Sequence, residues 1–263
     1  MKKILLAGLL IAVVIGGVTL AGCKTVLIDV EEGPLTTKTY DFTDFTGVEV
    51  GHAFELEVTP SDNYSITITA REGVLDHVDV TKDGSTLKIE MDVWFLTWRS
   101  NPKVTITMPS LQRLDLSGAA QGDARGFKSS SAFEIELSGA SHLDMDMEVG
   151  AFKADISGAS SLSGDLEATS SDIELSGASN VTLTGSGGDL AIDASGASRA
   201  KLPGYPVNDA GVELSGASSA ELTVNGQMDV NLSGASKLEY FGDATLGSIE
   251  ISGASDLEHK TAP

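Results

Sequence analysis

Ser-Gly-Ala-Ser, or a close variant of it, recurs eight times in this chain from residue 117 onward. Its first serine stands at Ser117, Ser138, Ser157, Ser176, Ser195, Ser215, Ser233 and Ser252, at intervals of 21, 19, 19, 19, 20, 18 and 19 residues. A period near twenty residues held over seven intervals implies structural units stacked into a solenoid. Alignment on the first serine then separates strand from helix. One residue before it stand Leu116, Leu137, Ile156, Leu175, Ala194, Leu214, Leu232 and Ile251, and three before it Leu114, Ile135, Ala154, Ile173, Ile192, Val212, Val230 and Ile249. Between these apolar columns runs a polar one: Asp115, Glu136, Asp155, Glu174, Asp193, Glu213, Asn231 and Glu250. Alternation resumes after the motif, with apolar residues five on (Leu143, Leu162, Val181, Leu238, Leu257) and seven on (Met145, Leu183, Leu202, Leu222). A period of two is the signature of strands with one buried face.

Each repeat therefore reads as two short strands joined by a corner at Gly-Ala, where glycine turns the chain at no steric cost. Two strands cannot bury an apolar face alone, so successive coils must stack with their strands in parallel register. The expected fold class is all-β, a single-stranded parallel β-helix. Eight coils at the strand spacing of ~4.8 Å make a rod about 38 Å long. The second serine of the motif shares the parity of the inward columns. Ser141, Ser160, Ser179, Ser198, Ser218, Ser236 and Ser255 are expected to form an internal hydroxyl ladder, each bonding to the next along the stack.

The stretch 40–110 lacks the motif but also alternates, through Val48, Val50, Phe54, Leu56, Val58, Ile66, Ile68, Leu87, Ile89, Met91, Val104, Ile106 and Met108. It is expected to cap or start the solenoid, because an uncovered end exposes core and strand edges. The expected organisation is an export signal at 1–22, an anchor and linker at 23–39, this β region at 40–110, the repeat at 111–259 and a tail at 260–263.

The opening Phe42-Thr43-Asp44-Phe45-Thr46-Gly47-Val48-Glu49-Val50 belongs to a recognisable pattern. So do Thr86-Leu87-Lys88-Ile89, Val104-Thr105-Ile106-Thr107-Met108-Pro109, Leu111-Gln112-Arg113-Leu114-Asp115-Leu116-Ser117-Gly118-Ala119 and the Ser-Gly-Ala-Ser series. Together they resemble the putative auto-transporter adhesins with a head GIN domain, over nearly all of the chain beyond the export signal. The resemblance implies a right-handed β-helix, the hand that general chain chirality also favours, and an adhesin role. It supplies no ligand and no catalytic residue. There is no heptad stalk and no C-terminal membrane barrel, so secretion by self-transport is not implied.

Lys2 and Lys3 precede an apolar run from Ile4 to Leu20, which is an export signal. The run is long enough to serve instead as an uncleaved helical anchor. Leu20-Ala21-Gly22-Cys23 resembles the lipobox of bacterial lipoproteins, which implies lipidation at Cys23 and a place on the cell envelope, facing the outside or the periplasm. Cys23 is the single cysteine of the chain, which excludes an intramolecular disulfide and a cysteine-rich zinc site. Lys and Arg number 17 against 38 Asp and Glu, and loss of residues 1–22 takes the formal net charge from −21 to −23. A surface so acidic repels polyanions, so nucleic acid is not an expected partner.

The column Asp115, Glu136, Asp155, Glu174, Asp193, Glu213 and Glu250 places like charges one strand spacing apart. Each neighbouring pair costs about 0.9 kcal/mol even in water, and five uninterrupted neighbours cost on the order of 4 kcal/mol before screening. Splayed side chains with mobile counterions offset this in one account. In the other the column binds a ligand or a cation such as Ca²⁺, which takes carboxylate oxygens in flexible geometry. No other cofactor is indicated. A second candidate contact is Trp94, Leu96 and Trp98, which share a face opposite Val93 and Phe95 and form either an exposed aromatic patch or a face buried under a second layer.

No catalytic residues stand out. The carboxylates form a regular ladder, not a pair in contrasting environments, and His52, His77, His142 and His259 are widely spread. The functional expectation is a non-catalytic envelope lipoprotein whose repeated face contacts a polysaccharide or a surface protein. The alternatives are a structural spacer without a specific ligand and, further off, a polysaccharide-active β-helix enzyme. The oligomeric state is left open.

Overall fold

A computed structural model describes residues 33–92 and 101–261. Among these the chain forms twenty strands in one continuous sheet, and a single short helix. The N-terminal region comprises β1 (Leu35–Tyr40), β2 (Gly47–Val50), β3 (Glu55–Pro60), β4 (Ser65–Arg71), α1 (Glu72–Leu75), β5 (Val78–Asp83), β6 (Thr86–Met91) and β7 (Lys103–Met108). The repeat begins with β8 (Arg113–Leu116), β9 (Gln121–Lys128) and β10 (Phe133–Leu137). Three 15-residue strands follow, β11 (His142–Ile156), β12 (Ser161–Leu175) and β13 (Asn180–Ala194). The last are β14 (Arg199–Val207), β15 (Ala210–Leu214), β16 (Ser219–Val224), β17 (Gln227–Leu232), β18 (Lys237–Phe241), β19 (Thr245–Ile251) and β20 (Asp256–His259). No described helix is long and apolar enough to cross a membrane.

The coil is the expected one: a parallel β-solenoid with two walls. The strand before each motif stands in what we call the front wall and the strand after it in the back wall. Parallel partners are one period apart, as in His142↔Ser161↔Asn180↔Arg199↔Ser219↔Lys237↔Asp256. β11, β12 and β13 turn the far corner within a single strand and so belong to both walls. The inward columns meet in one core: Leu114, Leu116, Ile135, Leu137, Ile156, Ile173, Leu175, Val212 and Leu232 are all buried.

The Gly-Ala corner is fixed twice over. Gly118, Gly139, Gly158, Gly177, Gly196, Gly216, Gly234 and Gly253 all lie at φ between 71° and 78°, the left-handed region. A Cβ on Gly177 would also stand 2.6 Å from the carbonyl oxygen of Gly158 in the coil below. From the second motif onward, that close approach lets each alanine amide donate to the glycine carbonyl one coil down, as in Ala178 to Gly158 at 2.8 Å.

The motif serines Ser141, Ser160, Ser179, Ser198, Ser218 and Ser236 are buried as expected, and Ser255, in the last coil, is half-buried. Their bonding differs from the expected ladder. Hydroxyl-to-hydroxyl bonds occur between Ser141 and Ser160 and between Ser236 and Ser255, both 3.2 Å. The hydroxyls of Ser179, Ser198 and Ser218 instead donate to the carbonyl three residues earlier, that of Ser176, Ser195 and Ser215, at 2.9, 2.7 and 2.9 Å. The tight turn aims that carbonyl inward and nearer than the next hydroxyl, and a buried carbonyl without a donor is costly.

The N-terminal strands enter the stack out of sequence. β2 lies parallel between β6 and β8, and β3 parallel between β7 and β9. Along the axis the coil built from β6 and β7 thus comes first, that of β2 and β3 second, and the repeat follows. Gly51-His52-Ala53-Phe54 occupies the corner that Ser117-Gly118-Ala119-Ala120 occupies above it. His52 takes the left-handed position at φ 64°, and the Ala119 amide donates to its carbonyl at 2.6 Å. Antiparallel strands close this end, β1 on β4 and β4 on β7 in the back wall, β5 on β6 in the front wall.

Candidate functional site

The register places the carboxylate column in one file on the front wall: Glu49↔Asp115↔Glu136↔Asp155↔Glu174↔Asp193↔Glu213↔Asn231↔Glu250. All seven candidate carboxylates are thus brought together, and Glu49 extends the file by one coil. A second outward file runs two residues earlier: Arg113, Glu134, Lys153, Asp172, Ala191, Gly211, Asp229 and Ser248. Its composition divides the wall in two.

In the N-terminal half the second file supplies two cations, Arg113 and Lys153, and Lys88 adds a third in register with Glu49. The Arg113 guanidinium lies 2.6 Å from Glu136, 3.0 Å from Glu134 and 3.8 Å from Asp115. Lys153 lies 3.6 Å from Asp155, and Lys88, from β6, lies 2.9 Å from Glu49 and 3.1 Å from Glu90. Hydrogen bonds to Glu49 and Glu90 hold the Lys88 ammonium well above the usual lysine range. Asp115 moves the other way for an acid: burial, then Glu136 and Glu49 on either side, push its carboxyl up to about 6, with Arg113 and Lys88 partly opposing.

Among the described residues, Glu134, Glu136 and Asp155 form the one set of acidic groups whose oxygens all approach within 4.8 Å. Arg113 already bonds two of the three, so a cation site there is filled by the chain itself. The repulsion expected from the bare column is partly offset in this half by these three basic side chains. The signal was present in the sequence four residues before the motif, at Arg113 and Lys153.

Beyond Lys153, which stands in register beside Asp172 and is also attracted by Glu174, the C-terminal half lacks this compensation. Asp172, Glu174, Asp193, Glu213, Asp229 and Glu250 line a shallow trough of ≈ 540 Å³ with no Lys, Arg or His among its lining residues. Ala191 and Gly211 floor it, because their positions in the second file carry almost no side chain. Glu174, Asp193, Glu213 and Glu250 are exposed, whereas Asp115, Glu136 and Asp155 are half-buried. The trough presents six carboxylates to solvent along five coils.

The described histidines are dispersed in space as in sequence. His77 contacts Asp92 at 3.0 Å, His142 contacts the Ser161 hydroxyl at 2.8 Å, and His259 stacks on Tyr240 with ring centroids 4.6 Å apart. His52 serves the corner described above. Cys23, Trp94, Leu96 and Trp98 lie outside the described residues.

Solved structures from Bacteroides and Parabacteroides share this fold. A putative adhesin from Bacteroides fragilis is 17% identical with a TM-score of 0.65, covering 88% of this chain and 99% of its own. A putative lipid binding protein from Parabacteroides distasonis is 14% identical with a TM-score of 0.81, covering 87% and 97%. A putative adhesin from the same organism is 16% identical with a TM-score of 0.73, covering 87% and 98%. No curated protein matches the chain. The family described as "Putative auto-transporter adhesin, head GIN domain" matches residues 44–244. By the extent of that match, this chain belongs to that adhesin family.

Proposed function

We propose that this chain is a cell-envelope lipoprotein, held at the membrane through Cys23, that acts as a non-catalytic binding module. Its front wall contacts a repeating partner, a polysaccharide or a surface protein. One observation carries this reading: parallel, in-register coils set equivalent outward carboxylates one strand spacing apart, and over the C-terminal half no basic side chain lines the trough they form. Weak contacts of equal spacing add through effective concentration when the ligand repeats as well. Membership of an adhesin family supports an envelope location and a binding role. Carboxylates in a regular file, with histidines dispersed elsewhere, support the non-catalytic part.

A glycan and envelope-extract array, run with calcium and with chelator, tests the proposal. The reading expects a saturable hit that is lost in the doubly substituted Glu174→Gln, Asp193→Asn chain. Silence across the array in both conditions would leave a structural spacer as the better account.

A further inference from the structure

The two ends of the solenoid are finished differently. At the N-terminal end the outermost strands β1 and β5 run antiparallel to their neighbours and carry Lys38 and Lys82, edge lysines that discourage further pairing. At the other end β19 and β20 pair on one side only, with β17 and β18. No described strand covers their outer edges. Leu246, Ile249 and Ile251 sit in inward register on Met228, Val230 and Leu232, which are buried, yet they are 43%, 37% and 45% exposed. They are core residues of a coil on which no described strand stacks.

We propose that this C-terminal end is a self-association surface on which a second copy of the chain docks end to end. The antiparallel cap blocks head-to-tail stacking, so the open end is left with its own equivalent. Two open ends meet about a two-fold axis lying across the rod, an isologous contact that closes at the dimer. Such an axis reverses strand direction, so β19 pairs antiparallel with β19 of the second copy, and β20 with β20. The apolar residues still face inward on both sides of the junction, and the unpaired edge amides and carbonyls gain partners.

The residues suit one register. Ile249 and Glu258 lie equally far on either side of the Gly253-Ala254 corner, so a single axis passes through both positions. Pairing about Glu258 sets Asp256 opposite Lys260 of the second copy, twice over, by symmetry. Glu258 on the axis is already held by Lys260 at 2.8 Å and Lys237 at 3.5 Å. Pairing about Ile249 sets Glu250 opposite Ser248, away from its own equivalent, and Ile251 opposite Gly247, where no side chain stands in the way. The fifteen residues from Thr245 to His259 are fewer than the roughly 20–30 a side of a standard interface, so the contact is a small one.

The test is the mass of the full chain in lipid nanodiscs loaded at one copy per disc, measured by sedimentation across a concentration series. Paired discs are expected, with Ile249→Lys and Ile251→Lys together weakening the pairing by at least about tenfold. Leu35→Lys, at the capped end, is expected to leave pairing unchanged. An unshifted melting temperature in each variant shows that it is folded. Single discs at every concentration up to about 50 µM, or pairing indifferent to the isoleucine substitutions, would overturn the proposal. No ligand is present in this experiment, so its failure would not touch the ligand-binding proposal, which has its own array.

Discussion

Asp115 makes the front wall sensitive to pH, and Asp115→Asn isolates the effect. Its side chain is 23% exposed, flanked in register by Glu49 and Glu136, and its carboxyl titrates at about 6 against an unperturbed 3.8. A raised folded-state value in an acid means that between these two values the folded chain binds the proton more tightly than the unfolded one. Stability from this group is fully present below about pH 4 and is lost as pH rises through about 6. At about 1.36 kcal/mol per unit the whole shift corresponds to roughly 3 kcal/mol, and partial exposure reduces this to about 2 kcal/mol. Asparagine keeps the shape and removes the charge. Arg113 is not orphaned, because Glu134 and Glu136 hold it at 3.0 and 2.6 Å. The variant is therefore expected to melt about 4–8 °C above the parent at pH near 7.5, since 1 kcal/mol moves a domain of this size by roughly 2–4 °C. Near pH 4 the two should coincide within about 1 °C. Circular dichroism melts of both chains at the two pH values decide it. An Asp115→Asn chain that melts no higher than the parent near pH 7.5 would refute the reasoning.

Other substitutions probe separate parts of the account. Gly177→Ala meets both a left-handed φ of 74° and the Gly158 carbonyl, and should cost about 2–4 kcal/mol in denaturant unfolding. Gly211→Ala, where an added Cβ meets nothing within 4 Å, should be neutral or stabilise by up to about 1 kcal/mol in the same assay. Ser218→Ala removes a hydroxyl lying 2.9 Å from the Ser215 carbonyl and 3.0 Å from that of Ala194, a loss of about 1–3 kcal/mol in chemical unfolding. Arg113→Gln should destabilise by about 1 kcal/mol at low ionic strength, a difference that shrinks in roughly 1 M salt because these ion pairs are partly exposed.

The coil was legible because its period and its alternation are both written in residue types: glycine where φ is positive, apolar residues where the walls face inward. The corner at Gly51-His52-Ala53-Phe54 was not, since it keeps the backbone geometry of the motif while sharing only its alanine. Nor does alternation say which parallel strand neighbours which. β2 reads the same whether it lies next to β3's coil in sequence or between β6 and β8, as it does. Tyr205 shows what the period alone does not place. The 20-residue interval from Ser195 to Ser215 holds a register shift between Leu202 and Val207 that turns this ring into the core. Its hydroxyl meets Ser171 at 2.8 Å, and the ring fills the space that Gly187 leaves open, where a Cβ would lie 2.7 Å away. At the candidate site the carboxylate file was evident from parity alone. Its division into a neutralised and an uncompensated half depended on a neighbouring file, whose basic members matter only once the register brings them alongside.

The central claim is that the uncompensated half of the front wall does the binding. The direct measurement is a titration of the array hit against the parent chain, against the Glu174→Gln, Asp193→Asn variant and against a back-wall control, Thr182→Ala with Lys201→Gln. The account expects the front-wall variant to bind at least about tenfold more weakly while the control binds like the parent. Equal affinity for the parent and the front-wall variant, or a loss confined to the back-wall control, would contradict it.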